Sequence, residues 1–279
     1  MAVFTPVDGR PERAWIEERL GEWSTMHSVV PRGYDAYVRV FHPIEAQLLD
    51  WTGSGYVTLE QRVLTWHAVA RSTRTTVHPL MQWTAIGRGL PQYRAETRGW
   101  QYGEPAQGRM PVEWLSRAVS VLHRGGEPCG RAAVWEGYGW LRPSGTGTAQ
   151  LSAHDEPADA TASPIDESLP FEPAEQAGRM LDLPSRSYFV FDADLGMLAD
   201  EAWARESGWG WGTSFWGDTP NLLWPLDRSW FLVSEIDFDS TVIGCSADLA
   251  AELLSDDVLE TALIPEGASL SFDADHINR

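Results

Sequence analysis

The sequence contains no lysine, so each of its 21 basic side chains belongs to arginine. A genome rich in G and C would give this bias without any selection for function. The physical consequence holds in either case, because the planar guanidinium makes bidentate contacts with carboxylates that an ammonium group cannot make. Arginine–carboxylate pairs are therefore an expected feature of the fold.

Cysteine is also scarce. The two cysteines, Cys129 and Cys245, are far apart and form no CxxC pattern, which argues against a disulfide framework and a structural zinc site. No run approaches the roughly 18 apolar residues of a membrane span, and the first residues show neither the basic nor the apolar region of a signal peptide. We therefore expect a cytoplasmic protein with reduced thiols and no membrane contact.

Recognisable catalytic motifs are missing as well. The seven histidines show no HExxH or similar metal-binding spacing, and GxSxG, P-loop and GxGxxG patterns are absent. Cys129 has only Arg131 as a nearby basic group, which is not the environment of an activated thiolate. The sequence carries no catalytic signature, and we expect no cofactor other than a possible Ca²⁺ or Mg²⁺ ion.

Acidic residues dominate the charge. The 40 acidic side chains give a net charge of −19. Residues 1–150 hold 14 acids and 16 arginines, a net charge of +2, whereas residues 151–279 hold 26 acids and 5 arginines, a net charge of −21. The acidic balance argues against a nucleic-acid partner, since phosphates would be repelled. We expect the two halves to pack together and partly neutralise each other.

The composition is that of a globular protein, with 43% hydrophobic and 22% charged residues. Residues 143–173 are rich in Ser, Thr, Pro, Ala, Asp and Glu, which predicts a flexible acidic linker or surface loop. This segment separates a front part, residues 1–142, from a rear part, residues 174–279. Each part has too few strands for a comfortable sheet of its own. We therefore predict one α+β domain, with a largely antiparallel sheet and helices packed to one side.

The segment 222–244 is the organising element of this prediction. From Ser229 to Asp239 it shows the period-two alternation of a long strand, which we place in the middle of a sheet shared by both parts. Other strands are predicted at residues 33–42, 131–141, 186–192 and 241–244. Helices are predicted at residues 11–23, 58–70, 111–124 and 195–205, and after the N-cap residue Ser246.

Three carboxylates, Glu235, Asp237 and Asp239, occupy alternate positions on one face of this predicted strand, roughly 6.5–7 Å apart. Two of them could hold one Ca²⁺ or Mg²⁺ ion if a third ligand came from elsewhere, such as Asp192 or Asp194. The alternative is a solvated face, or pairing with arginines of the front part, because like charges on one face repel.

Tryptophan is unusually frequent, with 15 residues. Trp224 and Trp230 flank the polar pair Asp227-Arg228, which predicts either a ligand site or an Asx turn closed by Asp227. Three further tryptophans share a glycine-rich loop and could either stack a flat ligand or fold back over the sheet. They are Trp209, Trp211 and Trp216.

Four stretches support a resemblance: VPRGYDAYVRVFHP at residues 30–43, AVWEGYGWL at 133–141, RSYFVFD at 186–192 and NLLWPLDRSWFLVSEIDFDSTVIG at 221–244. Together they resemble a family of uncharacterised conserved proteins common in actinobacteria, although Cys245 stands where a second glycine is expected. The resemblance implies one intact cytosolic unit. It implies no activity and no functional residue.

Two hypotheses about function follow. The first is a non-enzymatic protein that presents its acidic rear part to a basic partner protein, in the manner of an immunity protein or inhibitor. The second is an enzyme or small-ligand-binding protein with a Trp-lined pocket near Trp224, Asp227 and Arg228.

Overall fold

The computed structural model describes residues 2–23, 25–52, 55–91, 98–124, 126–141, 173–211, 214–215 and 218–278. The predicted linker at residues 143–173 therefore lies, except for its last residue, outside the described residues. The architecture is α+β with antiparallel sheets, as the sequence predicted.

The described residues form fourteen strands and eight α-helices. The strands are β1 (Phe4–Val7), β2 (Ala36–Phe41), β3 (Ile44–Trp51), β4 (Tyr56–Leu64), β5 (Gly99–Tyr102), β6 (Cys129–Trp135), β7 (Leu181–Asp182), β8 (Ser187–Asp194), β9 (Gly210–Trp211), β10 (Ser214–Phe215), β11 (Leu222–Pro225), β12 (Phe231–Val233), β13 (Ser240–Cys245) and β14 (Thr261–Ile264). The helices are α1 (Arg13–Glu17), α2 (Trp66–Thr73), α3 (Trp83–Ile86), α4 (Val112–Leu122), α5 (Pro173–Gln176), α6 (Leu195–Leu198), α7 (Trp203–Glu206) and α8 (Ala247–Leu254).

The large sheet interleaves strands from the front and rear of the chain. Its order is β1-β8-β6-β11-β12-β13-β2-β14, with β7 also paired to β8, and every pairing is antiparallel. The front strand β6 lies between the rear strands β8 and β11, and the front strand β2 lies between β13 and β14. Both parts of the chain therefore build one sheet, with β12 near its middle.

Each face of the large sheet covers a separate core, because alternate strand residues point to opposite faces. In β12, Leu232 points to one face and Phe231 and Val233 to the other. Helices α4, α6, α7 and α8 cover the Leu232 face. The opposite face is covered by Ile16 of α1, by residues near Met26 and by the C-terminal segment around Leu270.

A smaller sheet, ordered β4-β3-β5, stands beside the large one. At its base a third core packs Ile44 of β3 and Phe41 of β2 against Trp66 and Val69 of α2 and Ile86 of α3. Since β4 pairs with β3 alone among the described strands, it forms an edge of this sheet.

The prediction of a helix from residue 58 to residue 70 is wrong for its first half. Residues 56–64 form β4, and the helix α2 begins only at Trp66, where the Thr65 hydroxyl accepts a hydrogen bond from the Ala68 N–H at 3.1 Å. The Thr58-x-x-Gln61 pattern resembles a capping box. However, the β-branched and aromatic residues around it suit a strand, and pairing with β3 decides the outcome.

The long strand predicted to Asp239 is also wrong. β12 ends at Val233, and the chain then turns, with the Phe238 N–H donating to the Glu235 carbonyl at 2.9 Å. The buried Glu235 carboxylate holds this turn, because it accepts a hydrogen bond from the Asp237 N–H at 2.6 Å. The apparent alternation of residues 235–239 is therefore a property of a turn.

Other predicted elements agree in type and differ in length. Helix α4 and helix α8 occur as predicted, and the Ser246 hydroxyl caps α8 by accepting a hydrogen bond from the Leu249 N–H at 3.3 Å. The helix predicted at residues 11–23 ends at Glu17, and the one at 195–205 is divided into α6 and α7. Strands β1, β3, β5, β7, β9, β10, β11 and β14 lie where the sequence predicts no strand.

Candidate functional site

Trp224 and Trp230 do not come together. Both are almost completely buried, at 1% and 2% exposure, and they belong to the cores on opposite faces of the large sheet. The Trp224 ring stacks on Phe231, with 5.1 Å between centroids. These two side chains are therefore part of the packing and do not share a pocket wall.

Of the three tryptophans in the glycine-rich loop, the structure describes the surroundings of Trp209. Trp209 is buried and stacks on Phe4, with 3.9 Å between ring centroids. It thus folds back over the sheet, which was one of the two alternatives. Trp211 lies in the short strand β9, and Trp216 lies outside the described residues.

Asp227 and Arg228 form the turn between β11 and β12. The Asp227 carboxylate accepts a hydrogen bond from the Ser229 N–H at 2.9 Å, which is the predicted Asx turn. The Arg228 N–H donates to the Pro225 carbonyl at 2.9 Å, and Arg228 has a positive φ of 59°. The turn thus holds a non-glycine residue in the left-handed region, which carries a conformational cost.

The Arg228 side chain lies against Trp15 and Glu12, a contact that the sequence did not predict. Its guanidinium carbon is 4.4 Å from the centroid of the half-buried Trp15 ring, and its Nη2 is 3.8 Å from Glu12 Oε2. Glu12 also accepts a hydrogen bond from Trp15 Nε1 at 2.6 Å and lies 3.7 Å from Arg131 Nε. The arrangement combines a cation–π contact with shared ion pairing at the end of the sheet.

This geometry separates two roles of Arg228. Arg228→Ala keeps the left-handed backbone and removes the side-chain contacts, whereas Arg228→Gly removes the same contacts and also relieves the strain. We expect the free energy of unfolding of the Gly variant to be about 1 kcal/mol higher than that of the Ala variant. Urea denaturation of the two variants measures the difference, and equal stabilities would show that the turn is not strained.

The three carboxylates predicted to share a strand face pair with two arginines, Arg186 and Arg39. Glu235 lies 3.3 Å from Arg186 Nε, and Asp237 lies 2.8 Å from Arg186 Nη2. Asp239 lies 3.3 Å from Nη2 of the buried Arg39. Burial raises the pKa of Glu235 and of Asp239, and the nearby guanidinium groups oppose that rise.

The geometric basis of the predicted Ca²⁺ or Mg²⁺ site is therefore wrong, because it required a continuous strand face. The proposed additional ligands are also engaged: Asp192 pairs with Arg131, and Asp194 caps α6 by accepting from the Met197 N–H at 3.0 Å. In the part of the chain that the structure describes, no group of three or more His, Cys, Asp or Glu side chains is arranged to hold a metal ion.

Hydrogen bonds connect three buried polar side chains, His42, Thr241 and Ser234. His42 Nδ1 is 2.6 Å from the Ala106 carbonyl, so it carries the proton, and Nε2 accepts from the Thr241 hydroxyl at 2.8 Å. The Ser234 and Thr241 hydroxyls are 2.6 Å apart. Hydroxyl and imidazole are placed as in a nucleophile–base pair, but Ser234, Thr241 and His42 are all fully buried, so no substrate reaches them.

Front-part arginines neutralise part of the rear-part charge, as expected from the composition. Among the described residues, five such pairs connect the two parts at N–O distances of 3.3 Å or less: Arg39–Asp239, Arg109–Asp218, Arg117–Asp256, Arg124–Glu252 and Arg131–Asp192. The alternative of carboxylates paired with front-part arginines thus applies to Asp239.

The helical layer keeps an excess of carboxylates. We call its exposed carboxylates the acidic helical surface: Glu113, Asp200, Glu201, Glu206, Asp248, Glu252 and Asp257. Three arginines accompany them, Arg117, Arg124 and Arg205. Two of these are already paired: Arg117 lies 2.7 Å from Asp256, and Arg124 lies 3.1 Å from Glu252. The Asp257 side chain is 92% exposed, and Arg117 lies 3.8 Å from it.

The sequence matches no protein-family model, and no similar curated protein or solved structure was found. The resemblance to actinobacterial proteins therefore stays a prediction. Among the described helices, none is long and apolar enough to cross a membrane.

Proposed function

We propose that this protein is a non-enzymatic binding protein whose acidic helical surface docks on a basic partner protein, in the manner of an immunity protein or inhibitor. The observation that carries the proposal is the charge balance of that surface. Seven exposed carboxylates stand beside three arginines, and Arg117 and Arg124 are already paired.

The electrostatics of such a surface favour a cationic partner. Like charges held on one rigid layer repel each other, and a basic partner relieves that repulsion while the field of the surface speeds its approach. Helices α4, α6 and α8 are packed on the sheet through the buried core. The carboxylates are therefore held on a fixed framework, which limits the entropy lost on binding. The overall charge of −19 adds long-range attraction in the same direction.

The test compares two triple variants in a pull-down from the native cytosol. The first neutralises the acidic helical surface through Glu201→Gln, Asp248→Asn and Asp257→Asn. The second neutralises three exposed front-part acids, Glu18→Gln, Glu22→Gln and Asp35→Asn. We expect wild type to retain a basic protein at about 0.05 M salt and to release it at about 0.5 M, where charges are screened within a few ångströms.

The helical triple variant should lose that protein, and the front-part variant should retain it as wild type does. Because both variants remove the same charge, total charge cannot account for a difference between them. Equal retention by the two variants would contradict the proposal, and so would a partner whose binding is indifferent to salt.

A further inference from the structure

Strand β4 is exposed along its whole length. Its first eight residues are exposed and the last is half-buried, although β4 is one of the longest strands in the protein. Four large apolar side chains on it face solvent, with exposures of 49% for Tyr56, 47% for Val57, 62% for Leu59 and 55% for Val63. Its inner edge pairs with β3, and among the described residues no strand pairs with its outer edge.

An exposed strand of this kind presents free backbone N–H and C=O groups to any further strand. Charged residues on such edges usually prevent pairing. In β4 the two charged residues are of opposite sign, Glu60 and Arg62, and they lie on either side of Gln61. Within the strand, Arg62 Nε already donates to Glu60 Oε1 at 2.6 Å.

This order is self-complementary. When two β4 strands run antiparallel about a twofold axis at Gln61, each Glu60 lies opposite the Arg62 of the other copy, and each Leu59 lies opposite a Val63. An axis at Arg62 would instead place two guanidinium groups opposite each other, and an axis at Glu60 would do the same for two carboxylates. Charge thus selects one register, since opposite charges stabilise directly opposed positions and like charges destabilise them.

We propose that β4 is a self-association surface, at which the β4 of a second copy of this chain pairs antiparallel about Gln61 to join two three-stranded sheets into one six-stranded sheet. Such a contact uses the same patch on both copies, as twofold interfaces do. The occupant is a second copy because the charge pattern complements itself. A basic partner would find no net negative charge on β4, whose single carboxylate and single guanidinium cancel.

The irregular pairing of β4 with β3 is compatible with this register. The pairing shifts between Leu48 and Leu49 of β3, which leaves Leu59 as the extra residue of β4. Residues 60–64 continue in regular register with β3, and they contain Glu60, Gln61 and Arg62. The part of β4 that carries the charge complementarity is therefore the regular part.

The test measures sedimentation velocity from about 1 to about 200 µM protein, at about 0.15 M salt to limit repulsion between the acidic molecules. We expect wild type to shift from monomer to dimer as the concentration rises. Each of Glu60→Arg and Arg62→Glu places two like-charged pairs across the axis, and each should weaken self-association by about tenfold or more.

Mixing these two variants gives the decisive measurement. One carries arginine at both positions and the other glutamate at both, so an equimolar mixture restores opposite charges at every pair and should form a heterodimer. The double variant Glu60→Arg with Arg62→Glu should also dimerise. Because the within-strand ion pair is absent from both chains of the mixture, recovery there is due to contact between copies.

The control is Glu17→Arg, which breaks a comparable exposed pair with Arg13 at 2.8 Å in α1 and should leave the dimer unchanged. Wild type that remains monomeric over the whole range would overturn the proposal, including the case in which β4 pairs only with a strand of another protein. A mixture without recovery would overturn it too. Pairing through β4 does not involve the acidic helical surface, so the variant in which that surface is neutralised should dimerise as wild type does.

Discussion

Replacing Arg39 by methionine is expected to lower the free energy of unfolding by about 3–5 kcal/mol, the cost of leaving a buried charge and its partners unpaired. Arg39 is fully buried in β2. Its Nε donates to Ser240 Oγ at 2.8 Å, and its Nη2 donates to Asp239 Oδ1 at 3.3 Å. Its Nη1 donates to the carbonyls of Pro79 at 3.1 Å and Met81 at 2.8 Å.

These contacts make Arg39 a connection between distant parts of the chain. The guanidinium holds the loop at Pro79–Met81 to the start of β13, and it stacks over Phe41 and Trp66, with 4.6 and 5.3 Å to the ring centroids. Burial lowers the pKa of Arg39 to about 10, so the group stays charged at neutral pH. Methionine fills a similar volume but satisfies none of the acceptors.

A double variant separates the charge from the packing. In Arg39→Met with Asp239→Asn the half-buried carboxylate left without its partner is removed, and we expect recovery of about 1–2 kcal/mol of the loss. Urea denaturation measures all three stabilities. A loss below about 1 kcal/mol for Arg39→Met would show that the guanidinium is not the buried connection described here, since surface substitutions have effects of that size.

The second large effect is a loss of stability in acid that His42 causes. Burial lowers the pKa of His42 to about 4, with the positive charge of Arg39 acting in the same direction. The unfolded chain binds this proton below pH of about 6.5, whereas the folded chain binds it only near pH 4. Stability due to neutral His42 is therefore fully present above pH 6.5 and falls as the pH drops, by about 3 kcal/mol at pH 4.

Carboxylates with shifted pKa values also make the stability depend on pH, some in the same direction as His42, such as Asp275 with its lowered pKa, and some in the opposite direction. The effect of His42 must therefore be measured as a difference. Burial raises the pKa of Glu235, Asp239 and Glu260, and such groups bind protons more readily in the folded state, which favours folding in acid. The stability of wild type minus that of His42→Asn removes their contribution. Asparagine can keep the hydrogen bond to the Ala106 carbonyl without titrating.

We expect this difference to shrink by about 3 kcal/mol between pH 7 and pH 4. A difference that stays flat over this range would contradict the burial of a neutral imidazole.

Local sequence patterns predicted correctly those elements that nearby residues determine. The apolar stripe of α4 and the serine cap of α8 depend on residues within a few turns, and both were predicted correctly. The strand β4 has a local pattern that suits a helix or a strand, and only its pairing with β3 decides between them. Strand β14 looks like part of a polar tail, because its partner β2 lies more than 200 residues earlier.

In the candidate sites, too, contacts between nearby residues were predictable and contacts between distant residues were not. The Asx turn at Asp227 was predictable because donor and acceptor are two residues apart. The stacking of Arg228 on Trp15 and the pairing of Arg39 with Asp239 each join positions about 200 residues apart. The charge imbalance predicted that the two parts neutralise each other, but sequence alone gave no means of choosing the individual pairs.

Strands of both parts of the chain share one sheet, and native-state hydrogen exchange in urea tests this arrangement most directly. We predict that the slowest amides of the front strands β2 and β6 exchange with the same opening free energy, and the same dependence on urea, as those of the rear strands β12 and β13. Arg39→Met should lower the opening free energies of the front-strand and rear-strand amides by the same amount. Front strands that open at a distinctly lower free energy than β12 and β13 would contradict the shared sheet.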